Sequence, residues 1–305
     1  MSDCIITRRD GFVTIEFDNY KVYSDTLTRS TPKALSAGRS ELAGASVGDY
    51  ALFAGGRGVS DSFFNKVDAY DSDLTRSTPT ALSAGRGALA GASVGDYALF
   101  AGGYSGSHRN TVDAYYTNLT RSTPTVLSVA RDWLAGASVG DYALFAGGYG
   151  YSKVVDAYGT NLTRYTPTEL SVGRDCLAGA SVGDYALFAG GRTATTSYSD
   201  TVDIYYKDLT RSTPTTLSAA RAFLAGTSVG EYALFAGGNT GSASAVVDAY
   251  DSDLTRSTPT TLSAARQRLA GTSACGYALF AGGYTGSASA VVDAYTTNLT
   301  RSTPT

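Results

Sequence analysis

The chain has 305 residues, 43% of them hydrophobic, with 24 Lys and Arg against 27 Asp and Glu and a formal net charge of −3 when the single His108 is neutral. That composition excludes a disordered chain, and 35 Gly with 7 Pro falls far short of a collagen. It offers no global attraction for nucleic acid or an acidic membrane surface, and the longest wholly apolar runs, such as Ala51–Ala54, are far below the roughly 18 residues of a membrane helix. Neither nucleic acid nor membrane is an expected partner. Cys4, Cys176 and Cys275 are an odd number without CxxC spacing, and the first ten residues hold no apolar signal core. Free thiols in a reducing, cytoplasmic setting are the expectation.

In chain order, Cys4–Arg9 reads as a strand, Asp10-Gly11 as a hairpin turn, Phe12–Phe17 as a second strand, Tyr20–Tyr23 as a third and Leu27–Thr31 as a fourth. From residue 34 the sequence repeats. All 7 prolines close one motif, Leu-Thr-Arg-(Ser/Tyr)-Thr-Pro, ending at Pro32, Pro79, Pro124, Pro167, Pro214, Pro259 and Pro304. The units between them run 34–80, 81–125, 126–168, 169–215, 216–260 and 261–305. Each carries four short stretches: Leu-Ala-Gly-(Ala/Thr)-Ser, here strand A; Tyr-Ala-Leu-Phe-Ala, strand B; Val-Asp-(Ala/Ile)-Tyr, strand C; and Leu-Thr-Arg, strand D. Gly, Asp and Asn punctuate them, and no window has a 3.6-residue apolar period. Both alternating sets of strand B are apolar, Leu52 with Ala54 and Ala51 with Phe53, so that strand is covered on both faces. Ala and Gly in strand A suit crowding at a central axis.

The reading is all-β: a single β-propeller domain over 1–305, made of four-stranded antiparallel blades. Residues 1–33 count as a divergent first blade, so seven blades are preferred, with six as the alternative.

The unit resembles the kelch repeat through the double glycine after strand B (Gly55-Gly56, Gly102-Gly103), the Val-x-x-Tyr strand C and an Arg before strand A. It departs from that family in strand D, where Leu-Thr-Arg stands in place of the usual Trp. The resemblance implies that the Arg before strand A, namely Arg39, Arg86, Arg131, Arg174, Arg221 and Arg266, contributes to a ligand-binding face.

The units differ in two places. All length variation lies between the double glycine and strand C, in the B–C loop, and it comes in steps of two residues, which preserves strand facing. The pair after the strand A Arg also varies: Ser40-Glu41, Gly87-Ala88, Asp132-Trp133, Asp175-Cys176, Ala222-Phe223 and Gln267-Arg268. Both variable regions belong at one rim, which makes that rim the candidate binding face. Its aromatics are Trp133 and Phe223 with Tyr104, Tyr149, Tyr151 and Tyr198, joined by Phe63, Phe64 and Tyr284; Arg268 adds a charge. Such aromatics beside Arg suit a protein segment or an acidic glycan. Arg29, Arg76, Arg121, Arg164, Arg211, Arg256 and Arg301 of strand D are expected to pair with Asp68, Asp113, Asp156, Asp203, Asp248 and Asp293 of strand C.

One histidine cannot build a multi-histidine metal site, and no catalytic elbow or phosphate loop is present, so no catalytic residue, metal or cofactor is expected. The function expected is a non-catalytic binding module. The alternative is a recently amplified or designed scaffold without an evolved ligand, and a sugar-active enzyme stands behind both. A monomer is expected, with a domain-swapped dimer as the failure mode of near-identical repeats.

Overall fold

The computed structural model describes residues 5–9, 12–17, 20–21, 27, 29–274 and 276–304. The chain divides into two compact units, Met1–Ser30 with Pro304–Thr305, and Thr31–Thr303, rather than the single domain expected. In the first, strands Ile5–Arg9, Phe12–Phe17 and Tyr20–Lys21 form a three-stranded antiparallel sheet in chain order, with Arg9 opposite Phe12. The expected first three strands are therefore present. Cys4, the Asp10-Gly11 turn and residues 22–23 lie outside the described residues. Among the described residues of 27–31 no strand forms, and the sheet holds three strands among the described residues.

The second unit holds six four-stranded sheets, each paired A-B-C-D in order, which makes a six-bladed β-propeller rather than the preferred seven. Blade I is Ala43–Val47, Tyr50–Ala54, Val67–Tyr70 and Arg76–Ser77. Blade II is Ala90–Val94, Tyr97–Ala101, Val112–Tyr116 and Arg121–Ser122. Blade III is Ala135–Val139, Tyr142–Ala146, Val155–Gly159 and Arg164–Tyr165. Blade IV is Ala178–Val182, Tyr185–Ala189, Val202–Tyr206 and Arg211–Ser212, with an extra hairpin, Arg192–Ala194 against Ser197–Tyr198, in its B–C loop. Blade V is Ala225–Val229, Tyr232–Ala236, Val247–Asp251 and Arg256–Ser257, and blade VI is Ala270–Ala274, Tyr277–Ala281, Val292–Thr296 and Arg301–Ser302.

Strand B is covered on both faces because the core lies between blades. Ala98, Phe100 and Tyr115 of blade II pack on Leu52, Ala54, Val67 and Ala69 of blade I, and the same set recurs at each later interface. Burying one such Phe is worth about 1.5–3 kcal/mol, so the interfaces dominate the apolar stabilisation. The glycine of strand A is what lets neighbouring blades approach at the axis: a Cβ on Gly91 would lie 2.2 Å from the Gly44 carbonyl oxygen.

These interfaces join I to II, II to III, III to IV, IV to V and V to VI. Blades VI and I form no such interface among the described residues. Phe53 is 37% exposed, whereas Phe100, Phe145, Phe188, Phe235 and Phe280 are fully buried. Strand A of blade VI is exposed over most of its length, and Leu279, Ala281 and Val292 are only half-buried. No helix is long and apolar enough to cross a membrane.

Candidate ligand-binding face

Each blade is locked by a polar latch built on the strand C aspartate. Asp113 receives Arg121 at 2.7 Å on one oxygen and Arg86 at 2.8 Å on the other, and Ser83 donates to both oxygens through its N–H and hydroxyl. Asp68, Asp156, Asp203, Asp248 and Asp293 each bind two arginines in the same way. The strand D Arg pairs with the strand C Asp as expected in blades I to VI.

The Arg before strand A pairs with that same Asp, which corrects the ligand role expected of Arg39, Arg86, Arg131, Arg174, Arg221 and Arg266. Their side chains are 0–1% exposed, and each also donates to the carbonyl of the strand B Phe, as Arg131 does to Phe145 at 3.0 Å. A guanidinium removed from water needs a fixed counter-charge, and the aspartate supplies it inside the blade. Burial pulls the pKa of Arg86, Arg131, Arg174 and Arg221 down, while the paired aspartates push it back up. The Asp68 carboxyl is held below its ordinary value: burial opposes the charge, and the bonds from Arg76, Arg39 and Ser36 outweigh it.

The variable pair and the B–C loop do share one rim. The first residue of the pair bridges the residue after the double glycine: Ser40 to Arg57, Gly87 to Tyr104, Asp175 to Arg192, Ala222 to Asn239 and Gln267 to Tyr284. The second residue is left-handed in every blade, with φ of 53–57° at Glu41, Ala88, Trp133, Cys176, Phe223 and Arg268. These six are tied in a staircase, because the N–H of each donates to the carbonyl of its predecessor: Ala88 to Glu41, Trp133 to Ala88, Cys176 to Trp133, Phe223 to Cys176 and Arg268 to Phe223, at 2.8–3.0 Å. A side chain from each of six blades is thereby fixed in series along the inner rim.

Two clusters result. On the staircase, Trp133 and Phe223 meet edge to face at 6.1 Å, with Arg268 4.8 Å and Arg192 5.2 Å from the Phe223 ring centre. Arg192 is committed to Asp175 through two bonds, at 2.8 and 3.1 Å. Arg268 is exposed and has no ion pair among the described residues. Burial pushes the Cys176 thiol between them well above its ordinary range, which makes it an inert lining group.

The second cluster runs from blade I through blade II to blade III. His108 Nδ1 lies 2.9 Å from Asp132 Oδ1, and its ring stacks on Tyr149 at 4.0 Å. Tyr104 tilts against His108 at 5.6 Å, and Phe63 meets Tyr104 at 5.7 Å. Tyr149 stays 57% exposed and presents a flat ring to solvent. Burial raises the pKa of Asp132, and the bond from His108 works against that rise. Tyr151 and Tyr198 sit half-buried in the loops of blades III and IV and join neither ring cluster. Sequence reasoning did not connect His108, Asp132, Asp175 and Arg192 to one another. Their positions in variable loops and variable pairs were the available signal.

Among the described residues no group of three or more His, Cys, Asp and Glu is placed to hold a metal ion. No family model and no curated protein matches the chain. The chain is similar in fold to a solved structure described as "Structure of YjhT", with a TM-score of 0.70 and 15% identity, over 90% of this chain and 100% of that one. At that identity the likeness carries the propeller fold and no residue's role.

Proposed function

We propose that this propeller is a non-catalytic binding module of kelch-like repeats, holding a protein segment or an acidic glycan on the rim formed by the strand A starts and B–C loops. One observation carries the reading: Trp133 and Phe223 are held edge to face on a left-handed staircase, with the uncommitted guanidinium of Arg268 beside them. Aromatic faces receive an apolar side chain or a sugar ring, and a guanidinium donates two bonds to one carboxylate. Tyr149 extends the same rim outward as a second stacking surface. The module works as a monomer in a reducing compartment, a setting that suits its free Cys176.

The test is a binding screen of immobilised protein against a glycan array and a peptide library. It runs beside W133A/R268A and beside a control, D96N/D141N, altered in the A–B turns of the opposite rim. Ligands lost in the first variant and kept in the control support the module. An empty screen, or ligands that survive W133A/R268A, supports instead a scaffold without an evolved ligand.

A further inference from the structure

At the rim opposite the variable loops, where strand B leaves the A–B turn, blades II, III and IV each carry two tyrosines in contact. Tyr97 meets Tyr116 at 5.3 Å, Tyr142 meets Tyr165 at 5.5 Å and Tyr185 meets Tyr206 at 5.2 Å. The first ring of each pair opens strand B in every blade and packs on the interface core. The second ring is particular to these three blades. After Val-Asp-(Ala/Ile)-Tyr come Tyr116 and Tyr206 in blades II and IV, but Asp71 and Asp251 in blades I and V and Thr296 in blade VI. Tyr116 is 37% and Tyr165 40% exposed.

The second ring arrives by two routes. In blades II and IV it stands on strand C, directly opposite the first. In blade III that position is Gly159, and the ring comes instead from strand D, where Tyr165 replaces the serine of every other blade. Tyr165 Cε2 lies 3.4 Å from where a Cβ on Gly159 would be, so the second route fills the place that the first leaves empty. The turn does not need the ring, because Asp71 and Asp251 close it in blades I and V by accepting from backbone N–H groups. An aromatic pair reached twice, confined to three consecutive blades and partly open to water, marks an interaction surface.

The strip is continuous and acidic. Gly95 of blade II lies against Thr160 of blade III, and Gly140 of blade III against Lys207 of blade IV, so the turns bearing the pairs abut. The residue before each first tyrosine is an exposed carboxylate, Asp96, Asp141 or Asp184, and Asp208 adds a fourth. Among the described residues Asp96 and Asp141 have no ion pair, and the one cation of these turns, Lys207, is paired with Asp184. Electron-rich ring faces beside unpaired carboxylates attract an ammonium or a guanidinium.

We infer that this strip docks a basic peptide segment lying across blades II, III and IV. Its Lys and Arg side chains rest on the second tyrosines and are neutralised by Asp96 and Asp141. The strip lies on the other face from the ligand rim, and the inference does not rest on the binding reading.

The test titrates the full chain into a dye-labelled peptide of alternating Arg and Gly, followed by fluorescence anisotropy, with an alternating Glu and Gly peptide and a neutral oligosaccharide as comparison probes. Y116T/Y165S/Y206T imports residue types that other blades carry at these places and leaves the charge unchanged. D96N/D141N removes two charges from the strip, and D73N/D253N removes two from the turns of blades I and V at the same rim. The basic peptide is expected to bind the wild type, D73N/D253N and W133A/R268A alike, and to bind the tyrosine variant and D96N/D141N about tenfold more weakly or worse. Absence of binding overturns the inference, as does tighter binding of the acidic peptide or the oligosaccharide. Binding that the tyrosine variant keeps also overturns it, by reducing the attraction to charge alone. Should the tyrosine variant fail to fold, equal losses in D96N/D141N and D73N/D253N overturn it in the same way.

Discussion

Arg131 and Asp156 meet at 2.8 Å with neither side chain reaching solvent, and the same carboxylate takes Arg164 at 2.8 Å on its other oxygen. Among the described residues, Asp156 is thus the one counter-charge given to both guanidiniums in blade III. D156A leaves both without it, so a loss of about 3–5 kcal/mol is expected, the range for breaking a buried pair. R164A removes a partner that is a quarter exposed and leaves Asp156 bound to Arg131, so it costs less. Equilibrium unfolding in urea, comparing the two variants, checks the order.

The Asp68 latch sets an acid limit. Its folded pKa lies below the unfolded value, so the stabilisation is present above the ordinary carboxylate range of about 4 and is lost as pH falls through the folded value. Unfolding free energy measured from pH 7 down to pH 2 falls over that window in the wild type. D68N is less stable at neutral pH and has a shallower slope between about pH 4 and 2.

Ala88 holds φ at 53°, a region where an L side chain is strained, while Ala137 lies in strand A of blade III without that feature. Replacing Ala88 by Gly relieves strain but loses a buried methyl and stiffness of the unfolded chain, so A88G is expected to be neutral within about 0.5 kcal/mol. A137G has no strain to relieve and costs about 1 kcal/mol or more. Melting curves of the two variants separate them.

Gly91 has no room for a side chain, with the Gly44 carbonyl 2.2 Å from the position of its Cβ. G91A forces blades I and II apart, at a cost of about 1–3 kcal/mol or more. A Cβ on Gly44 would meet nothing nearer than 3.8 Å, on Phe53, so G44A is expected to cost less than G91A. Calorimetry of G44A and G91A is the check.

Much of this was legible in the sequence, because the repeat writes its strands in a period-2 code and its loops in changes of length. The Tyr-Ala-Leu-Phe-Ala strand announced its double burial, and the loop and pair variation announced a shared rim. The arginine before strand A was misassigned for a physical reason. Pairing each aspartate with one arginine left the other free, yet a carboxylate has two oxygens and accepts from two guanidiniums at once. The left-handed residues were hidden because Trp133, Phe223 and Arg268 occupy a conformation that usually calls for Gly or Asn. The bond from His108 to Asp132 joins loops of different blades, a proximity that only the blade-to-blade packing creates. The described residues of 27–31 form no strand, and in the blades the Leu-Thr-Arg motif pairs only beside a Val-Asp-Ala-Tyr strand, a dependence that the motif alone does not show.

The latch of each blade has a further consequence for how such a chain changes in length. Ser83, Arg86, Asp113 and Arg121 all come from residues 81–125, and Ser36, Arg39, Asp68 and Arg76 all from 34–80. No ionised group in a latch depends on a neighbouring repeat. A whole unit can therefore be duplicated or deleted by recombination without breaking up a latch, and only the apolar junctions and the backbone hydrogen bonds between blades have to be remade.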